Sequence, residues 1–486
     1  MGAAPMENSN SPPLELPLSL KDRLREIRRG FEPAFWVANT TELFERLAYY
    51  AQAVVLAIFL HESLHLSTEQ TGTLLGWFGF AVWFLPILGG SLADRFGFRR
   101  SLAFAYLTLA VGYFLMSSLS APWMAPLRDK LPLFWVVLIV LMVPALGPSI
   151  VKPVVAGTTA RASSESVRSI GYSIYYTLVN IGGMLGPITA FLVRRSLGIE
   201  NVFRVSALCV FAMFFATLAF YKEPSSSGDR AVPSVVAAIR NMLVVLGKYK
   251  LVLTISGVAI LAKVLSLVMH FSLPLLFWLA ILALALATLS RFMWFLVIFS
   301  GFWIVYWQQY IALPLFLRGY VDPNAKIDLL LSVDPATVIL FQIVVSYLTR
   351  RIPAFRAITL GILISSFAWL VLLLHASTGF VIASLFIMAL GEIVLSPRYY
   401  EYVSRLAPPG QQGTYMGFAF LPVAIGYLIG GKLGGYLVHY FGDVLHRPQE
   451  MWWVVSAIGF ATALLMWIYN MLFKPTAAAD SLADSH

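Results

Sequence analysis

Glu42, Glu45 and Arg46 stand inside an apolar stretch, Glu42-Leu43-Phe44-Glu45-Arg46-Leu47-Ala48-Tyr49-Tyr50, with Phe35-Trp36-Val37 before it and Val54-Val55-Leu56-Ala57-Ile58-Phe59-Leu60 after it. Two acids and a guanidinium so placed can hold a proton, pair with one another or grip a charged ligand. In a membrane-spanning helix each ionisable group costs about 3 kcal/mol on insertion scales, so such groups face a polar cavity or a partner and mark a route across the membrane. On a helix, Glu42, Glu45 and Tyr49 share a face by their three- and four-residue spacing, and Arg46 lies one turn beyond Glu42.

The elements that must position these residues are apolar helices. Of 486 residues, 59% are hydrophobic and 12% charged, against about 25% charged in soluble domains; mean hydropathy is +0.79. Apolar runs of about 20 residues, one membrane crossing each, recur almost end to end, without the alternation of a barrel. Spans are predicted near 34–60, 68–92, 101–120, 132–156, 170–194 and 202–221, and again near 292–317, 333–349, 357–375, 379–402, 413–439 and 451–473. Between the blocks, Lys222 to Arg230 reads as a linker, and Leu251 to Ser290 is long enough for a two-span hairpin bending near His270 to Pro274. The expected plan is a cytoplasmic tail (1–30), a six-helix bundle (31–221), a linker with an extra hairpin (222–290), a second six-helix bundle (291–474) and a short tail (475–486). The fold class is therefore all-α integral membrane, with about fourteen spans and both termini cytoplasmic. Two readings of Leu20 to Arg29 stay open, an amphipathic surface helix and a basic topology-setting tail. Lys263 and His270 of the hairpin either act in function or sit near a membrane interface. Gly182-Gly183, Gly186-Pro187, Gly430-Gly431 and Gly434-Gly435 let helices approach closely.

A net charge of +10 raises nucleic acid as a partner. The cations argue otherwise, because they gather in short loops: Arg95, Arg99 and Arg100; Arg161 and Arg168; Arg350, Arg351 and Arg356. That is the positive-inside signature of a cell (inner or plasma) membrane protein among lipids, which Arg194, Arg195 and Arg204 break in part. Cys209 is the single cysteine, so no intramolecular disulfide forms. There is no His-rich metal spacing, no Gly-rich phosphate loop and no nucleophile motif, so neither an enzyme, a metal nor a cofactor is expected.

Longer motifs carry a family resemblance. Gly90-Ser91-Leu92-Ala93-Asp94-Arg95-Phe96-Gly97-Phe98-Arg99-Arg100 closely matches the loop signature of the major facilitator superfamily. In it Asp94, at a helix end, can hold cations and a neighbouring helix terminus, making Asp94, Arg95, Arg99 and Arg100 a gating set. The second half has only a faint echo, Leu348-Thr349-Arg350-Arg351. Glu42-x-x-Glu45-Arg46-x-x-Tyr49-Tyr50 resembles the first-helix signature of proton-dependent oligopeptide transporters, with Leu47 in place of Phe. Lys152-Pro153, Ser173 to Tyr176 with Asn180-Ile181-Gly182, Phe302-Trp303 with Gln308, and Gly391 to Pro397 with Leu406-Ala407-Pro408 follow in that family's order. The resemblance implies the major facilitator fold, alternating access, and proton-coupled symport of di- and tripeptides or related small solutes. The proton is then the coupling ion, held by Glu42, Glu45 and Lys152. Substrate falls to Arg46, Tyr49, Lys152, Asn180, Gln308, Asp334 and Glu392, with Gln309 beside them. It also implies that Lys152 pairs with Glu42, Glu45 or Glu392 and is released when an acid takes a proton. The alternative is a static charge cluster stapling helices.

Three positions depart from the family. Ala53 stands where it has a second Arg, and Trp307 where its seventh helix has an acid, so an outer gate built on that ion pair is lost. Packing of Trp83, Trp303 and Trp307 is the expected replacement. Asp334, in Ser332-Val333-Asp334-Pro335, stands where the family has Asn. It reads as a displaced proton site, a contact for a substrate amine, or a helix cap. Arg398 and Glu401 are expected to pair. Beside the symporter stand a same-fold carrier of another small solute without proton coupling, and a non-transporting receptor or scaffold.

Overall fold

The computed structural model describes residues 29–87, 96–224, 249–268, 274–407 and 412–473. The expected N-terminal surface helix, Asp94, Arg95, the linker from 225, His270 and the C-terminal tail lie outside the described residues. Fourteen described helices have thirteen or more residues. In chain order they are α1 (Pro33–Ile58), α2 (Thr68–Phe84), α3 (Phe98–Ser117), α4 (Leu133–Arg161), α5 (Arg168–Leu197), α6 (Ile199–Phe220), α7 (Tyr249–Val268), α8 (Leu275–Ala287), α9 (Arg291–Tyr306), α10 (Val333–Thr349), α11 (Ala354–Ala368), α12 (Thr378–Leu406), α13 (Leu421–Val438) and α14 (Met451–Leu472). Eleven described stretches are long and apolar enough to cross a membrane. The chain is a multi-pass membrane protein.

Local chemistry sets the helix starts. Pro33 opens α1, where a missing N–H costs nothing. Ser67 and Gln70 close a reciprocal capping box on α2. In the first bundle α1 packs on α5 and α6, α3 on α4 and α6, and α2 on α4; in the second, α9 packs on α13 and α14, α11 on α12 and α14, and α10 on α12. Every one of these pairings in the first bundle has its counterpart in the second, the mark of an internal repeat. The bundles meet along α2 with α13 and α5 with α10. The hairpin helices α7 and α8 pack on each other.

Two glycine stripes set the closest crossings. A Cβ on Gly72 would lie 2.3 Å from the Gly431 carbonyl oxygen, and one on Gly435 would lie 2.4 Å from the Thr68 carbonyl oxygen, so α2 and α13 touch backbone to backbone. Within the first bundle, Gly182 and Gly186 bring α5 nearly as close to α1, a Cβ on either lying 2.7 Å from its nearest atom there.

Let the near end be the one carrying Pro33 and the far end the one carrying Ser63. At the far end two ion pairs join the bundles. Arg318, after α9, grips Glu62, after α1, at 2.5 and 2.8 Å. Arg194, in the last turn of α5, grips Asp328, just before α10, at 2.8 and 3.3 Å. Toward the near end α2 still meets the second bundle through Trp83 and Phe420, whereas the α5–α12 side is open: Tyr176 of α5 lies within electrostatic reach of Glu392 and Tyr400 on α12, yet is 45% exposed.

Candidate functional site

The first-bundle site is built on α1, two to three turns from its near end. Glu42, Glu45 and Arg46 are all buried. The Arg46 guanidinium donates from Nε to Glu45 Oε2 at 2.5 Å and from Nη2 to Glu45 Oε1 at 2.6 Å. Its Nε is 3.5 Å from Glu42 Oε1. Helical spacing pointed to Glu42 as the partner, yet the tight bond goes to the sequence neighbour. A planar fork matches a carboxylate edge to edge, and α5, pressed in at Gly182, meets the Arg46 Cβ and keeps water out. Both Glu42 oxygens are buried without a hydrogen bond, so Glu42 is the acid with room for a partner. The Arg46 guanidinium also lies 4.9 Å over the Tyr49 ring, whose hydroxyl is buried and unbonded.

Lys152, on α4, departs from expectation. Among the described residues no carboxylate lies within ion-pair distance of it. Its ammonium sits 3.3 Å from the centroid of the Trp83 ring and 5.7 Å from that of Phe420. Arg46 already occupies Glu45 and flanks Glu42, and an indole face attracts an ammonium through its quadrupole. The pairing with Glu42, Glu45 or Glu392 is therefore not made in this state, although Glu42 and Glu45 remain within electrostatic reach. Phe420 belongs to the second bundle, so Lys152 is held at the seam.

The second-bundle face gathers Tyr306, Gln309, Asp334 and Glu392. Asp334 Oδ2 accepts from the Tyr306 hydroxyl at 2.9 Å and from Gln309 Nε2 at 3.1 Å. The cap reading of Asp334 falls, since α10 starts without a side-chain cap. Glu392 is half-buried on α12, within electrostatic reach of Asp334. Gln308 Nε2 donates to the Ile304 and Gly430 carbonyls at 2.8 and 3.1 Å, bracing the end of α9 against α13. Asn180 donates to Tyr176 O in its own helix at 2.8 Å. Trp307 stacks on Tyr427 at 3.9 Å and lies 6.1 Å from Trp83, so aromatic rings meet across the seam.

The described part of the expected gating loop works inside the first bundle. Glu223 accepts from the Arg99 backbone N–H at 2.9 Å, covering an orphan donor at the start of α3. The Arg99 side chain donates to the Leu218 carbonyl near the end of α6; Arg100 is exposed. Arg398 does pair with Glu401, at 2.9 Å. Sequence reasoning missed the far-end pairs and Tyr306. The paired residues stand 256 and 134 positions apart, and nothing local marks them. Tyr306 carried a signal, standing three residues before Gln309 on a helical face. A cavity of about 520 Å³ at the far end, lined by Phe316, Tyr320 and Arg447 among others, is remote from these charges.

Comparison with known proteins gives the family. The profile of the Major Facilitator Superfamily matches residues 40–320 and 295–483. Dipeptide and tripeptide permease A of Serratia proteamaculans (strain 568) is 24% identical over 474 residues, 91% of each chain. Among solved structures, an auto-inhibited POT family peptide transporter superposes with a TM-score of 0.71 at 21% identity, covering 93% of this chain and 98% of its own. A POT family transporter in complex with 5-aminolevulinic acid gives 0.67 at 18% identity, covering 90% and 95%. With repeated bundles, charges at their seam and a profile match across most of its length, the chain belongs to the Major Facilitator Superfamily.

Proposed function

We propose that the protein is a proton-coupled symporter of di- and tripeptides or closely related small solutes, working by alternating access in the inner membrane with both termini in the cytoplasm. The observation that carries this reading is the buried Glu42–Glu45–Arg46 cluster, with the Lys152 ammonium parked beside it, at the seam of two bundles sealed at one end and open at the other. The permease relatives and the first-helix motif support the peptide class. The near end carries Arg99, Arg100, Arg161, Arg168, Arg350, Arg351 and Arg356, which favours the cytoplasm for that side. The state described is then open inward.

Proton coupling follows from a vacancy and a parked charge. A proton on Glu42 leaves Arg46 to Glu45 alone; a deprotonated Glu42 draws the Lys152 ammonium off Trp83. Each protonation state favours a different contact across the seam, and a gradient biases the two states. Arg46 and Lys152 supply the cations for a peptide carboxylate, and Glu392 receives the amine.

The test is uptake of labelled dialanine by liposomes holding the protein, with and without an inward proton gradient. Accumulation should require the gradient and be lost in Glu45→Gln. Absence of uptake by folded, inserted protein contradicts the peptide assignment. A same-fold carrier without coupling is the second reading, favoured by Trp307, which is buried in the aromatic layer at a family acid position; uptake indifferent to the gradient selects it.

A further inference from the structure

The second bundle carries a groove on its outer surface, away from the seam. Its walls are α11 and α14, which pack on each other and on α9 and α12. The two walls touch where a Cβ on Gly459 would lie 2.3 Å from Ser366 Oγ. Between that crossing and the near end they leave a cavity of about 410 Å³. Its floor is fixed: the Phe355 ring stacks on Tyr469 at 6.0 Å, and the Tyr469 hydroxyl donates to the Arg291 carbonyl at 3.0 Å. Arg356 stands ten residues before Ser366, and Asn470 eleven after Gly459. The helical rise makes that about 15 Å along either wall, the depth of one leaflet of hydrocarbon.

The groove is polar at one end and apolar at the other. Arg356 and Asn470 stand at the near-end mouth, Leu360 and Leu363 follow Arg356 down α11, and Trp467 lies one turn below Asn470 on α14. Leu360, Leu363 and Trp467 are exposed, so in a membrane these walls meet acyl chains. The mouth lacks a counter-charge. Among the described residues no acid lies within ion-pair distance of Arg356, Arg351 or Arg291, and Glu401, on the near end of α12, is held by Arg398 and Arg405 at 2.9 and 2.7 Å. A guanidinium grips a phosphate through two parallel bonds, and indole rings favour the depth of the headgroups. A free anion would satisfy Arg356 and leave the apolar walls uncovered. A neutral chain would cover the walls and leave the guanidinium without a partner. A phospholipid of net negative charge does both, whereas a zwitterionic one already neutralises its own phosphate.

We propose that the α11–α14 groove is a binding site for an anionic phospholipid of the near-end leaflet, with its phosphate on Arg356 and Asn470 and one acyl chain along Leu360, Leu363 and Trp467. The site stands apart from the symporter reading; only the naming of that leaflet as cytoplasmic rests on the orientation given there.

The experiment is photo-crosslinking of the purified full chain in phosphatidylcholine nanodiscs holding a trace of phosphatidylglycerol with a diazirine on one acyl chain, mapped by mass spectrometry. A phosphatidylcholine probe with the same chain is one reference. Leu208 and Phe215, exposed apolar residues of α6, are the other. Relative to both, the phosphatidylglycerol probe should label Leu360, Leu363 and Trp467 about fivefold more, the weight of one cation beside an anionic lipid. Excess unlabelled phosphatidylglycerol should displace it and inorganic phosphate should not; displacement by phosphate makes this a site for a free anion and overturns the lipid assignment. Arg356→Gln, at an exposed position, should lower the labelling to the reference. Leu363→Trp, which fills the groove and leaves every cation in place, should do the same. Enrichment unchanged in either variant overturns the proposal, as does equal labelling of groove and α6 in the native chain, the mark of annular lipid alone. Walls that neither probe labels are covered by protein, and the lipid assignment then falls as well.

Discussion

The two bundles meet at the seam with faces of opposite construction. On the first, Glu42, Glu45, Arg46 and Lys152 carry charges of both signs, and the acids are held by a guanidinium a few ångströms away. On the second, Asp334 and Glu392 are acids held only by neutral groups, Tyr306 and Gln309. The first face can rearrange without changing its net charge, since an ammonium and a guanidinium can trade acids. The second can reach neutrality only by taking something in. A carrier that must bind both a proton and a substrate with two charged ends gains from that division.

The sharpest break of this contrast is Arg46→Ala. It removes the guanidinium bonded to Glu45, and losing one partner of a buried pair costs about 3–5 kcal/mol. Thermal unfolding in detergent should show a large loss of stability, and a chain as stable as the native one contradicts the assigned pairing. Gln308→Leu should cost less, about 1–3 kcal/mol, because the Gly430 carbonyl loses a buried donor. If the amide only braces helices, dialanine binding by the folded fraction should survive; a binding defect without a stability defect makes Gln308 a substrate contact.

Lys152→Gln separates the faces in another way. Its ammonium sits over Trp83 and no carboxylate depends on it in this state, so the stability loss should stay within about 0.5–2 kcal/mol, the range of a cation–π contact. Gradient-driven uptake should nevertheless fall to background, because the charge that trades acids is gone; stable protein with native accumulation removes Lys152 from the coupling set. Smallest is Glu62→Ala at the far end. Its partly exposed pair with Arg318 is worth about 0.2–1 kcal/mol. The signature is conformational: spin labels on the far ends of α1 and α9 should report a larger open population than in the native chain, and identical distance distributions mean that the pair does not latch.

Much of the frame was legible in the sequence. Apolar length alone located the spans, because hydrocarbon thickness dictates it, and Glu42, Glu45 and Arg46 stood out because charge in such a span is expensive. The sequence also singled out Trp83, Trp303 and Trp307, whose rings lie near one another. Three features were not. Arg46 bonds adjacent Glu45 more tightly than Glu42 one turn away, a choice that helical spacing does not contain. Lys152 rests on the Trp83 ring although Glu42 has room for a partner, a contact made across tertiary structure that no local motif carries. The far-end pairs Glu62–Arg318 and Arg194–Asp328 join positions far apart in the chain, so nothing local marks them.

Proton movement driven by substrate tests the central claim most directly. With a pH-sensitive dye trapped in liposomes and no proton gradient imposed, dialanine added outside should acidify the lumen, at a rate that falls to background in Glu45→Gln. Dialanine entering while the lumenal pH holds constant would contradict coupling at this site and leave an uncoupled carrier of the same fold.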